Sequence, residues 1–227
     1  MTHAANRPRT VTSSDPVLNA LSYTQAVSIK DREDKVTASA ALQKLQTLLE
    51  SDRVTEPTRD ALRARLLEPA PQRAFFTETE FALLEVVSSR LIPQFHSSLA
   101  AQVDARLSKG EGKGWRFDSL PPDFEMYRLG LRGLEALAQT QHGSSFVELP
   151  VLEMDALLGA VQRGEVSAGV WDALPAARFF EELLTELSEL HYSHPLAQLE
   201  LGYAGFADAH GWQRVSLNSP RDLELER

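Results

Sequence analysis

The segment PAARFFEELLTELSELHYSHP, residues 175–195, carries Phe179, Phe180, Leu183, Leu184, Leu187 and Leu190 at helical spacing. It predicts a long amphipathic helix with a broad apolar face. Such a face has to be buried against another layer of structure. What else the chain forms decides the nature of that layer.

The other apolar periodicities are also helical. Leu42, Leu45, Leu48 and Leu49 form one stripe, and Leu62, Leu66 and Leu67 a second, with Pro57 in the first turn of its helix. Thr77 followed by Glu80 is a capping-box pattern, and Phe81, Leu84, Val87 and Leu91 continue it as a stripe that Pro93 ends. SLAAQVDARL (98–107) reads as a shorter helix, and Asp123 to Gln141 as another despite Gly130 and Gly133. Val151, Met154, Leu158 and Val161 give a further stripe, stopped at Gly164. The nearest strand candidate, FVELPVLEM, is short. The pattern predicts an all-α fold: a single helical domain of about seven or eight helices over residues 36–215. Residues 1–35 mix Pro, Ser, Thr and charge without period and predict a mobile, disordered arm. Residues 216–227 read as a polar tail.

Charge narrows the function. Up to Ala74 there are 11 Lys+Arg against 9 Asp+Glu; from Phe75 onward there are 12 against 23. An acidic body argues against nucleic acid, which needs a basic face, and permits a basic protein partner. No apolar run is long enough to span a bilayer, so direct membrane insertion is not expected. The chain has no cysteine, which excludes thiolate nucleophiles, Cys-ligated zinc and iron–sulfur clusters. The N-terminal sequence lacks a signal-like apolar core, so the expected location is cytoplasmic, and periplasmic only with an exported partner.

HYSHPLAQLELGYAGFADAHGW, residues 191–212, concentrates histidines, aromatics and glycines. His191 and His194 are three apart and could sit on one helix face with a carboxylate, the basis of a small metalloenzyme reading. Zincin motifs instead use His-Glu-x-x-His, and Pro195 disfavours helical geometry at His194. The structural alternative is a helix end whose carbonyls are met by imidazole and phenol donors. Glu181, Glu182, Glu186 and Glu189 read as a solvated acidic face rather than acid/base groups. KGEGKG lacks the phosphate-loop pattern, and no Gly-x-Ser-x-Gly elbow occurs. The residues alone predict no catalytic site.

An ordered set of landmarks adds to this. FFTETEFALLEVVSSRLIPQ, VDARLSKGEGKGWRFDSLPPDFEMYRLGLRGLEALA, FVEL and FFEELLTELSELHYSHPLAQLELGYAGFADAHGW, preceded by LLESDRVTEPTRDALRARL, resemble the gluconate 2-dehydrogenase subunit 3 family over residues 40 to 215. The resemblance implies a non-catalytic accessory subunit that binds and stabilises a large flavoprotein of the glucose-methanol-choline oxidoreductase type. That partner would hold FAD, and a cytochrome c subunit would take the electrons. Pro93, Trp115, Tyr192, His194, Pro195, Gly202, Tyr203 and Gly205 fall where the family has recurrent residues and enter as fold or interface positions. Trp115, Tyr192, Tyr203, Phe206 and Trp212 are candidate aromatic anchors. The chain departs from the family's pattern at PQFHSSLA after Pro93, at His191 and at Ala204, and it lacks the twin-arginine signal many members carry. A helical scaffold unconnected to a dehydrogenase is the remaining alternative.

Overall fold

The computed structural model describes residues 32–67, 71–92, 96–113 and 119–201. Among them the chain forms eight α-helices, two short 3-10 turns and no strand. Pro93, Trp115, Gly202, Tyr203, Gly205, Phe206 and Trp212, the polar tail, and most of the expected N-terminal arm lie outside the described residues. The stretch FVELPVLEM is a 3-10 turn, Phe146–Glu148, followed by the start of a helix.

The chain divides into two compact units, one joining the segment up to Glu68 with that from His194, the other running from Pro69 to Ser193. The first unit contains α1 (Arg32–Glu50), α2 (Glu56–Leu67) and α8 (Pro195–Glu200). Among the described residues its core is small: Ala41, Leu45, Leu48, Leu49, Val54 and Leu62 close on Leu196 and Leu199. Arg59 donates to the carbonyls of Leu49, Ser51 and Val54 and so ties the α1–α2 turn to α2. At the start of α8, Pro195 occupies the first helical position and His194 Nδ1 accepts from the Leu196 N–H at 3.3 Å.

The second unit contains α3 (Glu78–Leu91), α4 (Leu99–Ser108), α5 (Asp123–His142), α6 (Val151–Gln162) and α7 (Ala176–Tyr192). The expected capping box is present, with Thr77 accepting from the Glu80 N–H and Glu80 accepting from the Thr77 N–H. Leu84 and Val87 of its stripe are fully buried, while Phe81 and Leu91 are partly so. On α7 the buried line runs through Phe179, Phe180, Leu183 and Leu187, and Leu184 lies to one side of it. α5 packs on α3, α6 and α7, and α4 on α3 and α7.

Gly130 and Gly133 explain how a helix with two glycines is stable. A Cβ on Gly130 would overlap the Phe179 ring, and one on Gly133 would stand 2.5 Å from the Trp171 indole. The glycines let two aromatic side chains lie directly on the α5 backbone, which offsets their poor helix propensity. Gly143 and Gly164 have φ of 71° and 66° where α5 and α6 end, the left-handed geometry that a helix stop requires.

Candidate functional site

Two features of the second unit stand out: a buried cluster of charge and an exposed apolar segment. The cluster begins with Arg106 in the last turn of α4. Its Nε donates to Glu186 Oε1 at 2.7 Å and its Nη2 to Glu186 Oε2 at 2.8 Å. Its Nη1 donates to Asp123 Oδ2 at 2.7 Å and also reaches the Glu111 carbonyl. Tyr127, fully buried, donates its hydroxyl to Glu186 Oε2 at 2.5 Å. The Lys113 N–H donates to Asp123 at 3.2 Å, and the Lys113 ammonium pairs with Glu189.

Glu186 is 3% exposed, so the expected solvated carboxylate row is wrong at this position. The physical reason is helix geometry. Glu186 lies seven residues after Phe179 and three after Leu183, on the face that α7 buries. Glu181 and Glu189 do face solvent. Burial would lower the Arg106 pKa, but the bonds and charge of Glu186 and the bond to Asp123 outweigh it and hold the guanidinium above its ordinary value. Burial pushes the Tyr127 phenol up, and the neighbouring Glu186 charge and hydrogen bond add to that.

This arrangement is a clamp. Arg106 sits at the carboxyl end of α4 and Asp123 in the first turn of α5, each favoured by the dipole of its own helix. Their bond closes the two ends of the connection between these helices, and Glu186 fastens both to α7. A second anion serves the same unit. Asp104, fully buried, accepts from the backbone N–H groups of Ala74, Phe75 and Phe76 at 2.6 to 3.1 Å and holds the approach to α3. Arg128 stacks over the Phe75 ring at 4.4 Å and donates to its carbonyl.

The histidine region divides differently from its one-dimensional spacing. His191 is buried in the last turn of α7, its ring 6.1 Å from that of His96 and 4.8 Å from that of Tyr192. His194 begins the next helix as its N-cap. Among the described residues no three His, Asp or Glu side chains are grouped so as to hold a metal ion. Pro195 is buried. Tyr192, at 46% exposure, is the one proposed aromatic anchor among the described residues, and it is open to solvent.

The exposed apolar segment lies elsewhere. Val147, Val151 and Leu152 are 39%, 50% and 82% exposed, beside an exposed Pro150. Val151 was expected in the buried stripe of α6, but Leu157 is buried there instead, beside Met154, Leu158 and Val161. A leucine off that stripe, Leu152, was the signal that could have located this surface. The segment is held rigidly: Glu135 accepts from the Phe146 N–H at 3.0 Å and from the Ser145 hydroxyl, while Phe146 and Leu149 are buried beneath it. Among the described residues no helix is long and apolar enough to cross a membrane.

Among the described residues the chain is thus all-helical, its buried charges serve its architecture, and three of its six exposed large hydrophobic side chains lie in one short segment. The family model for gluconate 2-dehydrogenase subunit 3 matches residues 78–207, from the start of α3 past the end of α8, and the chain belongs to that family. No curated protein and no solved structure matches it.

Proposed function

We propose that this chain is a non-catalytic small subunit that binds and stabilises a flavin-dependent sugar or alcohol dehydrogenase. The observation that carries the reading is the family match over residues 78–207, whose description is that of a subunit. The catalytic partner is a flavoprotein of the glucose-methanol-choline oxidoreductase type that holds FAD and removes hydride equivalents from the substrate. A cytochrome c subunit accepts the electrons. This chain contributes a rigid helical surface, and substrate choice resides in the partner's pocket. The clamp around Arg106 supports the reading in one respect: a multiply bonded, largely buried network specifies a single arrangement of helices, which a docking surface requires.

The test is to mix the purified chain with the purified flavoprotein from the same source. Expected are co-elution on size exclusion with a flavin spectrum and a higher melting temperature for the flavoprotein, since a ligand of the folded state stabilises it. Oxidation of gluconate or another polyol by the chain alone would overturn the proposal, as would its failure to bind the flavoprotein.

A further inference from the structure

Six large hydrophobic side chains are exposed among the described residues, and three of them, Val147, Val151 and Leu152, fall within six consecutive positions. Exposed apolar residues scattered singly need no explanation, whereas a concentrated group does. These three extend from a 3-10 turn and the first turn of α6, separated by exposed Glu148, buried Leu149 and exposed Pro150. The turn is fastened beneath by Glu135 and by buried Phe146, so the projection keeps its shape without a partner. A backbone already held in place loses little freedom on docking.

The charge along this stretch of sequence is one-sided. From Gly133 to Gln162 the sequence has four Asp or Glu and no Lys or Arg. Glu148 follows Val147 and Glu153 follows Leu152, so carboxylates flank the apolar group on both sides. Ser144 donates to Glu148, and the His142 imidazole meets Glu153 at 3.0 Å. Asp155, on the same helix, is engaged by Arg90 at 2.8 Å. An apolar centre with an acidic rim matches a protein surface that has an apolar pocket edged by lysine and arginine. An anionic lipid surface would be repelled by the same rim.

We infer that Val147, Val151 and Leu152, edged by Glu148 and Glu153, are the surface by which this chain docks its dehydrogenase subunit, in an apolar pocket bordered by basic residues. This rests on the accessory-subunit reading and adds to it the place of contact and the chemistry of the partner's side.

The experiment uses the full chain, the purified flavoprotein and three variants: Leu152→Asp, Leu152→Ser and a double Glu148→Lys, Glu153→Lys. Leu152 is 82% exposed, so thermal melting of its variants is expected to match the parent. Leu152→Asp should weaken the flavoprotein complex at least about 30-fold in Kd, the range of a central anchor. Leu152→Ser, which introduces no charge, should weaken it in the same direction and guards against misfolding of the Asp variant. The double lysine variant should slow association about tenfold at low salt, with the difference shrinking as salt rises. If the parent chain binds the flavoprotein and both Leu152 variants bind it equally well, this surface is overturned and the accessory-subunit reading stands. If the parent chain binds no flavoprotein, both fall. Parent-chain dimers that Leu152→Asp dissociates would also overturn the inference, by showing that a second copy occupies the surface.

Discussion

Arg106 and Glu186 each depend on the other. With both present, each nitrogen of the guanidinium donates to an acceptor and the carboxylate receives three hydrogen bonds. Removing Arg106 leaves Glu186 and Asp123 buried without their counter-charge, which costs about 3–5 kcal/mol. Arg106→Met should therefore lower denaturant stability by about that amount and Glu186→Leu by less, because Arg106 keeps Asp123, while the double variant recovers part of the Arg106→Met loss. Urea titration of the three proteins measures it. Tyr127 adds a pH signature. Its folded value is raised above 10.0 by burial and by Glu186, so the folded state keeps the phenol protonated where the unfolded chain ionises. The stabilisation is complete below pH about 10 and is lost as pH rises past it toward the folded value. A Tyr127→Phe variant should show a shallower fall of Tm with pH on that alkaline limb. Ala168 offers the opposite case, with φ of 77° and ψ of 153°, a conformation suited to glycine. Ala168→Gly should raise stability by about 1 kcal/mol, read from the same titration.

At the scale of elements, α5 makes the clearest prediction because propensity and packing oppose each other. Alanine is the better helix former by about 1 kcal/mol, yet Gly130→Ala should destabilise, by about 1–3 kcal/mol, because its methyl meets the Phe179 ring. Pairing it with Phe179→Leu should recover part of the loss, and a double-mutant cycle by thermal melting tests the coupling. The helices themselves were legible because period and caps are local signals: Thr77 and Glu80 are three residues apart, and Leu84 and Val87 follow within one helix. The clamp was not legible. Glu186 sits among other glutamates that do face water, and its partner is 80 positions away. Asp104 resembled an ordinary helix aspartate, because the N–H groups it caps belong to residues 28 to 30 positions earlier. The candidate site was half legible. His191 and His194 were visible as a pair, and the pair is divided between a helix end and a helix start. Of the apolar projection at residues 147–152 the stripe includes only Val151, which is exposed, and a stripe fitted to Val151 and Met154 hides the angular position of Leu152.

For the whole molecule, the two units differ in the size of their cores. Among the described residues, the unit from Pro69 to Ser193 buries a large cluster with Tyr127, Phe146, Phe179 and Trp171 at or near its centre, whereas the core cluster of the other is made of alanine, valine and leucines. Local stability follows buried apolar contact. Backbone amides of α1 and α2 are therefore expected to exchange with deuterium faster than those of α5 and α7, and equal protection across the four helices would contradict this.

The 80 positions between Arg106 and Glu186 also have a meaning during biosynthesis. At roughly 5–20 residues per second a ribosome takes about 4–16 s to add the second after the first. Throughout that interval the nascent chain carries a guanidinium whose native site lacks its principal counter-charge, and α3 to α6 have no α7 to cover them. Native packing of the larger unit must wait for nearly the whole of its coding region to be translated. Fragments from premature termination ahead of Glu186 are then expected to be substrates for chaperones and proteases rather than folded intermediates.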